Sequence, residues 1–256
     1  MSALSTPSDR HLCNQHSDES DHGVLLVAHG SRDSRAATVA HDVAAGLSTG
    51  GGLSPGGQLA AAAAFLELAE PTTEQALDGL VRRGVRQVTV VPFLLGRAYH
   101  AKTDLPDVLR SVTERELRLR VADVLGPDPL LASLLIRRIA ETRTGFDAVV
   151  LAAAGSSDPE GNAGVRQLAE VLADELGVPV WDAYASAARP DPGTAVAEAR
   201  VDGRVLVATY LLAPGYFADT VAASTRNAGA VAVTEPLGAA PEVVRLVAER
   251  VRTAQP

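Results

Sequence analysis

The chain has 256 residues, 46% of them hydrophobic, enough to bury a sizeable core in one large domain or two ordinary ones. Only 4% are aromatic and the net charge is −8, which calls for a core of Ala, Val and Leu and argues against nucleic acid as the main partner, while an anionic ligand would need a local basic patch. The single cysteine, Cys13, rules out an intrachain disulfide framework and fits a reducing cytoplasm, and no apolar run approaches the roughly 20 residues of a membrane span.

Residues 1–22 are polar, rich in Ser, Asp and His, and without periodicity or an apolar stretch, so they read as a disordered tail and not as a secretory signal. The tail holds His11, Cys13, His16 and His22, ligand types whose spacing matches no closed zinc site. Strands and helices then alternate. Val24–Ala28 is a buried strand and Asp33–Leu47 a helix, followed by a Gly-rich loop at Gly50–Gly57 that lacks the spacing and lysine of a phosphate loop. Leu59–Leu66 reads as a strand, Pro71–Arg83 as a helix and Val85–Phe93 as a strand. A helix over Leu105–Glu116, a strand over Leu119–Val124 and a helix over Pro129–Thr142 complete four βα units.

The pattern then restarts. Strands at Ala148–Ala153, Val178–Tyr184, Arg204–Leu211 and Val231–Thr234 alternate with helices at Asn162–Leu176, Ala195–Arg200, Phe217–Asn227 and Ala240–Thr253. Such alternation predicts parallel sheets with helical crossovers, an α/β fold. The second half also copies the first in detail. Ala28-His29-Gly30-Ser31-Arg32-Asp33 matches Ala153-Ala154-Gly155-Ser156-Ser157-Asp158, and Phe65 through Pro71 matches Tyr184 through Pro190. Phe93-Leu94-Leu95 with Tyr99-His100 matches Tyr210-Leu211-Leu212 with Tyr216-Phe217, and Leu125-Gly126 matches Leu237-Gly238. Four landmarks in one order indicate an internal duplication, with an N-terminal domain over 23–143 and a degenerate C-terminal repeat over 144–256.

Ligands of open parallel sheets sit outside the carboxyl ends of the strands. His29 ends the first strand and His100 follows the third, so both imidazoles can face one crevice and bind a metal or take a proton near neutral pH. The repeat supplies an internal control: the matching positions are Ala154 and Phe217, so neither imidazole is required by the fold. Glu67, matched by Ser186, is likewise confined to the first half and can act as a proton acceptor; Glu70 is a weaker candidate, because Pro71 already accounts for a helix start there. Lys102, the only lysine, joins Arg32, Arg35 and Arg97 as the basic patch for an anionic ligand, with Ser31 beside them. His41 is read as a structural or surface residue, Trp181 and Tyr184 as core. Tyr99 and Tyr216, at equivalent positions, are read as packing residues.

The ordered set Val27-Ala28-His29-Gly30-Ser31-Arg32-Asp33, Ala64-Phe65-Leu66-Glu67 before Pro71, and Val91-Pro92-Phe93-Leu94-Leu95 with His100 and Asp104-Leu105-Pro106 resembles the sirohydrochlorin chelatase family, in its long two-domain form. The resemblance runs from Gly23 to Val251. It implies two flavodoxin-like, chelatase-type α/β domains facing each other across a cleft. It further implies insertion of Fe2+, for siroheme, or Co2+, for cobalamin, into sirohydrochlorin, a reduced tetrapyrrole carrying carboxylates. The metal would be a substrate, with no permanently bound cofactor. The metal-handling histidines fall on His29 and His100 and the acidic residue on Glu67, with Ser31, Arg32, Arg97 and Lys102 toward the carboxylates. The expected protein is a cytoplasmic, pseudo-symmetric monomer with no nucleic-acid or membrane partner. A non-catalytic tetrapyrrole or metal carrier using the same cleft is the alternative. A histidine phosphatase is disfavoured, because Ala28 stands where those enzymes carry Arg before His-Gly.

Overall fold

The computed structural model describes residues 21–49, 59–96 and 117–254. The strands expected from short aliphatic runs form two all-parallel sheets. In the first, β1 (His22–Ala28), β2 (Ala60–Phe65), β3 (Gln87–Pro92) and β4 (Arg118–Val121) lie in the order β2-β1-β3-β4. In the second, β5 (Ala148–Ala153), β6 (Val180–Tyr184), β7 (Val205–Tyr210) and β8 (Ala232–Val233) repeat that order as β6-β5-β7-β8. The described helices are α1 (Ser34–Thr49), α2 (Thr73–Arg82), α3 (Pro129–Glu141), α4 (Pro159–Leu176), α5 (Pro192–Ala199), α6 (Tyr216–Asn227) and α7 (Pro241–Thr253). The fold is therefore α/β, built from two chelatase-like units. The expected helix over Leu105–Glu116 and the Gly50–Gly57 loop lie outside the described residues.

Helix starts follow local chemistry. Asp158 caps α4 by accepting from the Glu160 N–H, and Asp191 caps α5 by accepting from the Thr194 N–H, each with proline in the first turn. These Asp-Pro pairs start both helices earlier than the apolar periodicity suggested, at Pro159 and Pro192 rather than Asn162 and Ala195. Thr72 and Gln75 form a capping box at α2.

Strand alternation sorts the core into three layers. Val24 and Leu26 of β1 and Val149 and Leu151 of β5 face one continuous inner layer, filled by α1, α3, α4 and α7. Leu25 and Val27 face the opposite way, onto α2. Val150 and Ala152 face out onto α5 and α6. Within the inner layer the last helix of each half crosses over: α3 packs on β7 of the second sheet, and α7 packs on β3 of the first. Polar clamps follow the same exchange. Arg137 of α3 makes a bidentate pair with Glu242 of α7, both nitrogen–oxygen distances being 2.8 Å. Arg250 of α7 donates to the carbonyls of Val124 and Leu125 and to Asp128 Oδ2, at 2.9, 3.0 and 2.9 Å. Arg250 and Asp128 are mostly buried, so Arg250→Ala strands a carboxylate and two carbonyls. We expect a loss of about 2 kcal/mol in urea unfolding, with the transition remaining single.

His22 opens β1, where the tail was expected to end, and its Nε2 lies 2.9 Å from Thr89 Oγ1 on β3. Burial first, and Arg120 second, hold its pKa below the ordinary value. The folded chain thus binds fewer protons here than the unfolded chain. This contribution is present above about pH 6.5 and is lost as the pH falls below it. His22→Gln is expected to flatten the decline in stability between about pH 7 and pH 5, read by urea midpoints of variant and parent.

Candidate active site

In both sheets the chain reverses its direction of strand addition at the first strand, β1 or β5, leaving a crevice at the carboxyl ends. The two crevices open onto one shared cleft of about 290 Å³. Its walls are the segments Ala28–Ser31 and Phe93–Gly96 from the first half and Ala153–Ser156 and Tyr210–Ala213 from the second. The lining is mainly Ala, Gly and Leu, so the few polar groups stand out.

His29 and Glu67 are the principal pair. The backbone N–H groups of Leu66 and Glu67 donate to the carbonyls of Ala28 and His29, both at 3.0 Å, which zips the ends of β1 and β2 together. That brings His29 Nε2 to 3.1 Å from Glu67 Oε1, with the two side chains 45% and 55% exposed. A carboxylate against an imidazole restrains the orientation of the ring. Gly30 makes the approach possible. It has φ +102°, and a Cβ there would stand 1.7 Å from the Glu67 carbonyl oxygen.

The second half repeats this scaffold without the chemistry. The N–H groups of Ala185 and Ser186 donate to the carbonyls of Ala153 and Ala154 at 2.8 and 2.9 Å. Gly155 has φ +89°, with a Cβ position 2.1 Å from the Ser186 carbonyl oxygen. Leu68 and Ala187, at matching positions, both carry left-handed backbone, φ 60° and 57°. In place of the imidazole–carboxylate pair, the Ser186 hydroxyl donates to the Ala154 carbonyl at 3.1 Å. Buried Asn162 then locks the turn, accepting from the Ser156 N–H at 2.9 Å and donating to the Ser156 carbonyl at 2.8 Å. The first half has Ala37 at the equivalent distance from Ser31.

The other expected residues separate. Ser31 lines the cleft and its hydroxyl accepts from the Asp33 N–H at 3.1 Å, as Ser156 does from Asp158. Arg32 is exposed one residue beyond. Arg35 is already engaged, its Nη2 lying 2.6 Å from both Asp33 and Asp219. That holds Asp33 below the usual carboxylate range and ties the first-half turn to α6, so Arg35 serves the seam rather than an anion patch. Glu70 is exposed, and His41 is exposed with its ring edge-on to Phe65. His100, Arg97, Lys102 and Tyr99 lie outside the described residues. Among the described residues, no three His, Cys, Asp or Glu side chains gather as a metal cluster.

Two aromatic residues carry information that the sequence did not reveal. Tyr210, matched by Phe93, is buried, and its hydroxyl approaches the Leu95 carbonyl and the Gly126 backbone of the other half. Burial drives its pKa upward. The extra oxygen relative to Phe93 was the available signal. Tyr216, expected to pack, is instead 78% exposed. Of the two strand aromatics expected in the core, Tyr184 is buried, whereas Trp181 is only partly so and donates to Asp202 at 3.2 Å.

A family model described as CbiX matches residues 23–142 and again residues 148–254. The sirohydrochlorin ferrochelatase of Priestia megaterium is 33% identical over 159 residues, covering 59% of this chain and 60% of that protein. The sirohydrochlorin cobaltochelatase of Saccharolobus solfataricus is 33% identical over 128 residues, 47% of this chain and 94% of that shorter protein. The solved structure of SirB from Bacillus subtilis with Fe3+ superposes with a TM-score of 0.76 at 27% identity, covering 91% of this chain and 95% of SirB.

Proposed function

The chain belongs to the CbiX family, and from that membership we propose that it is a chelatase inserting Fe2+ or Co2+ into sirohydrochlorin. The observation that carries this reading is the His29–Glu67 pair, present at the switch point of one sheet and replaced by Ala154 and Ser186 at the switch point of the other. The names of the relatives support both metals, as do the donor types: imidazole and carboxylate accept several first-row divalent ions. The matched stretch covers 60% of the length of the Priestia megaterium relative.

As the metal enters the macrocycle, two pyrrole protons must leave. His29, together with His100, holds the incoming metal and passes it to the ring. Glu67, 3.1 Å from His29, accepts one of these protons and a histidine freed of the metal accepts the other. Ser31, Arg32, Arg97 and Lys102 take the carboxylates of the substrate, the guanidinium groups in bidentate fashion. The metal leaves in the product, so it is a substrate and no resident cofactor is invoked. We place the division between the repeats at 143/144. Two pseudo-symmetric halves already enclose the cleft, which favours a monomer. No described helix is long and apolar enough to cross a membrane; a cytoplasmic location and the absence of a nucleic-acid partner are inferred from the lone cysteine and the acidic charge.

The test is anaerobic incubation of sirohydrochlorin, in large excess over protein, with Fe2+ or Co2+. Conversion of many equivalents per chain, seen in the absorption spectrum, supports the chelatase. Conversion or retention of a single equivalent marks the carrier, and a spectrum identical to the protein-free control ends both readings.

A further inference from the structure

Aromatics are scarce in this chain, and the fold leaves two adjacent ones uncovered. Tyr216 is 78% exposed and Phe217 is 42% exposed, with ring centroids 5.8 Å apart and an interplanar angle of 61°. They open α6, separated by five residues from the carboxyl end of β7, so they stand on the side of the sheet where the cleft lies. Their neighbours fix them there. Ala213 lines the cleft. Gly215, with φ +142°, sits so close to the first-half turn that its Cβ position is 3.7 Å from the Asp33 side chain and 3.9 Å from Ser31 Oγ. One turn into α6, Asp219 is held by Arg35. In the first half, Leu68, beside Glu67, is likewise exposed, at 52%. Exposed aromatic side chains cost solvation and add nothing to this core, and the residue just before them abuts the turn Ser31–Asp33 that follows His29.

We propose that Tyr216 and Phe217 form a stacking platform for one face of the conjugated macrocycle, so that the second half binds the substrate ring while the first half handles the metal. The inference rests on the proposed function and assigns the degenerate half a substrate-binding role. Aromatic faces suit a flat conjugated ring, and their apolar surface complements polar contacts to its carboxylates. The platform also accounts for a histidine in one half being matched by Phe217 in the other.

The experiment titrates metal-free sirohydrochlorin into the whole protein, following absorbance and the quenching of protein fluorescence, and compares Tyr216→Ala/Phe217→Ala with the parent. The double variant is expected to bind roughly tenfold more weakly or worse, with KM raised more than kcat is lowered. Tyr216→Phe should bind like the parent, because a ring face and not the hydroxyl is required. Parent-like affinity in the double alanine variant overturns the platform while leaving the chelatase reading standing. Weakened binding in Tyr216→Phe comparable to that in the alanine variant also overturns it. No binding by the parent protein overturns the proposed function, and the platform with it.

Discussion

His29→Ala is expected to lower metal insertion at least about a hundredfold while leaving the thermal midpoint within about 2 °C of the parent. Both halves of this expectation come from the repeat. Ala154 occupies the same turn, and its carbonyl accepts the same backbone hydrogen bond that the His29 carbonyl accepts. The scaffold therefore tolerates alanine at this position. The imidazole is 45% exposed, so its removal opens no cavity in the core. What disappears is the proposed metal donor and the partner of Glu67. Initial rates with Co2+ alongside a melting curve give both quantities. A variant that unfolds, or one that inserts metal at the parent rate, contradicts the assignment.

Gly30→Ala is expected to damage stability and activity together. A positive φ alone costs a side-chain-bearing residue about 1 kcal/mol, the loss expected for Gly84→Ala. Gly84 has φ +88° and open space around its Cβ position. At Gly30 a methyl group would also be driven into the Glu67 carbonyl oxygen, 1.7 Å away, and backbone cannot rotate aside as a side chain can. We expect at least about 3 kcal/mol lost in urea unfolding. The displaced β2 end carries Glu67 away from His29, so insertion falls even under conditions where the variant stays folded. Equal costs at Gly30 and Gly84 would show that the turn has slack and that the glycine serves only its backbone angle.

Much of the architecture was legible because it is written in local and periodic signals. Aliphatic runs such as Val24–Val27 and Ala148–Ala153 mark strands that are covered on both faces. The paired turns at Gly30 and Gly155 were visible as a repeat because both need glycine for the same reason, a close carbonyl above them. The closeness of His29 and Glu67 follows from the sheet order, which sets the carboxyl ends of parallel neighbours β1 and β2 side by side. What could not be read were the long-range couplings. Nothing local in Arg137 or Arg250 says that the last helix of each half crosses onto the other sheet. Arg35 looked like a free cation because its partner, Asp219, lies far along the chain. Tyr216 was assigned to packing because a tyrosine shared by both repeats suggested a common structural need; the structure leaves it in solvent.

The crossing of α3 and α7 also explains how a duplicated chain can divide its labour. The inner helical layer belongs to both halves, so the two crevices are held mouth to mouth as one cleft. One crevice can then lose its ionisable pair, closing the gap with Ser186 and Asn162, while the other retains it.

A metal that passes through the His29 corner of this cleft can be caught there. Crystals soaked with Co2+ test it most directly, through the anomalous difference map. We expect a peak about 2.1 Å from an imidazole nitrogen of His29, on the cleft side. A metal bound only elsewhere, with none against His29, would contradict it.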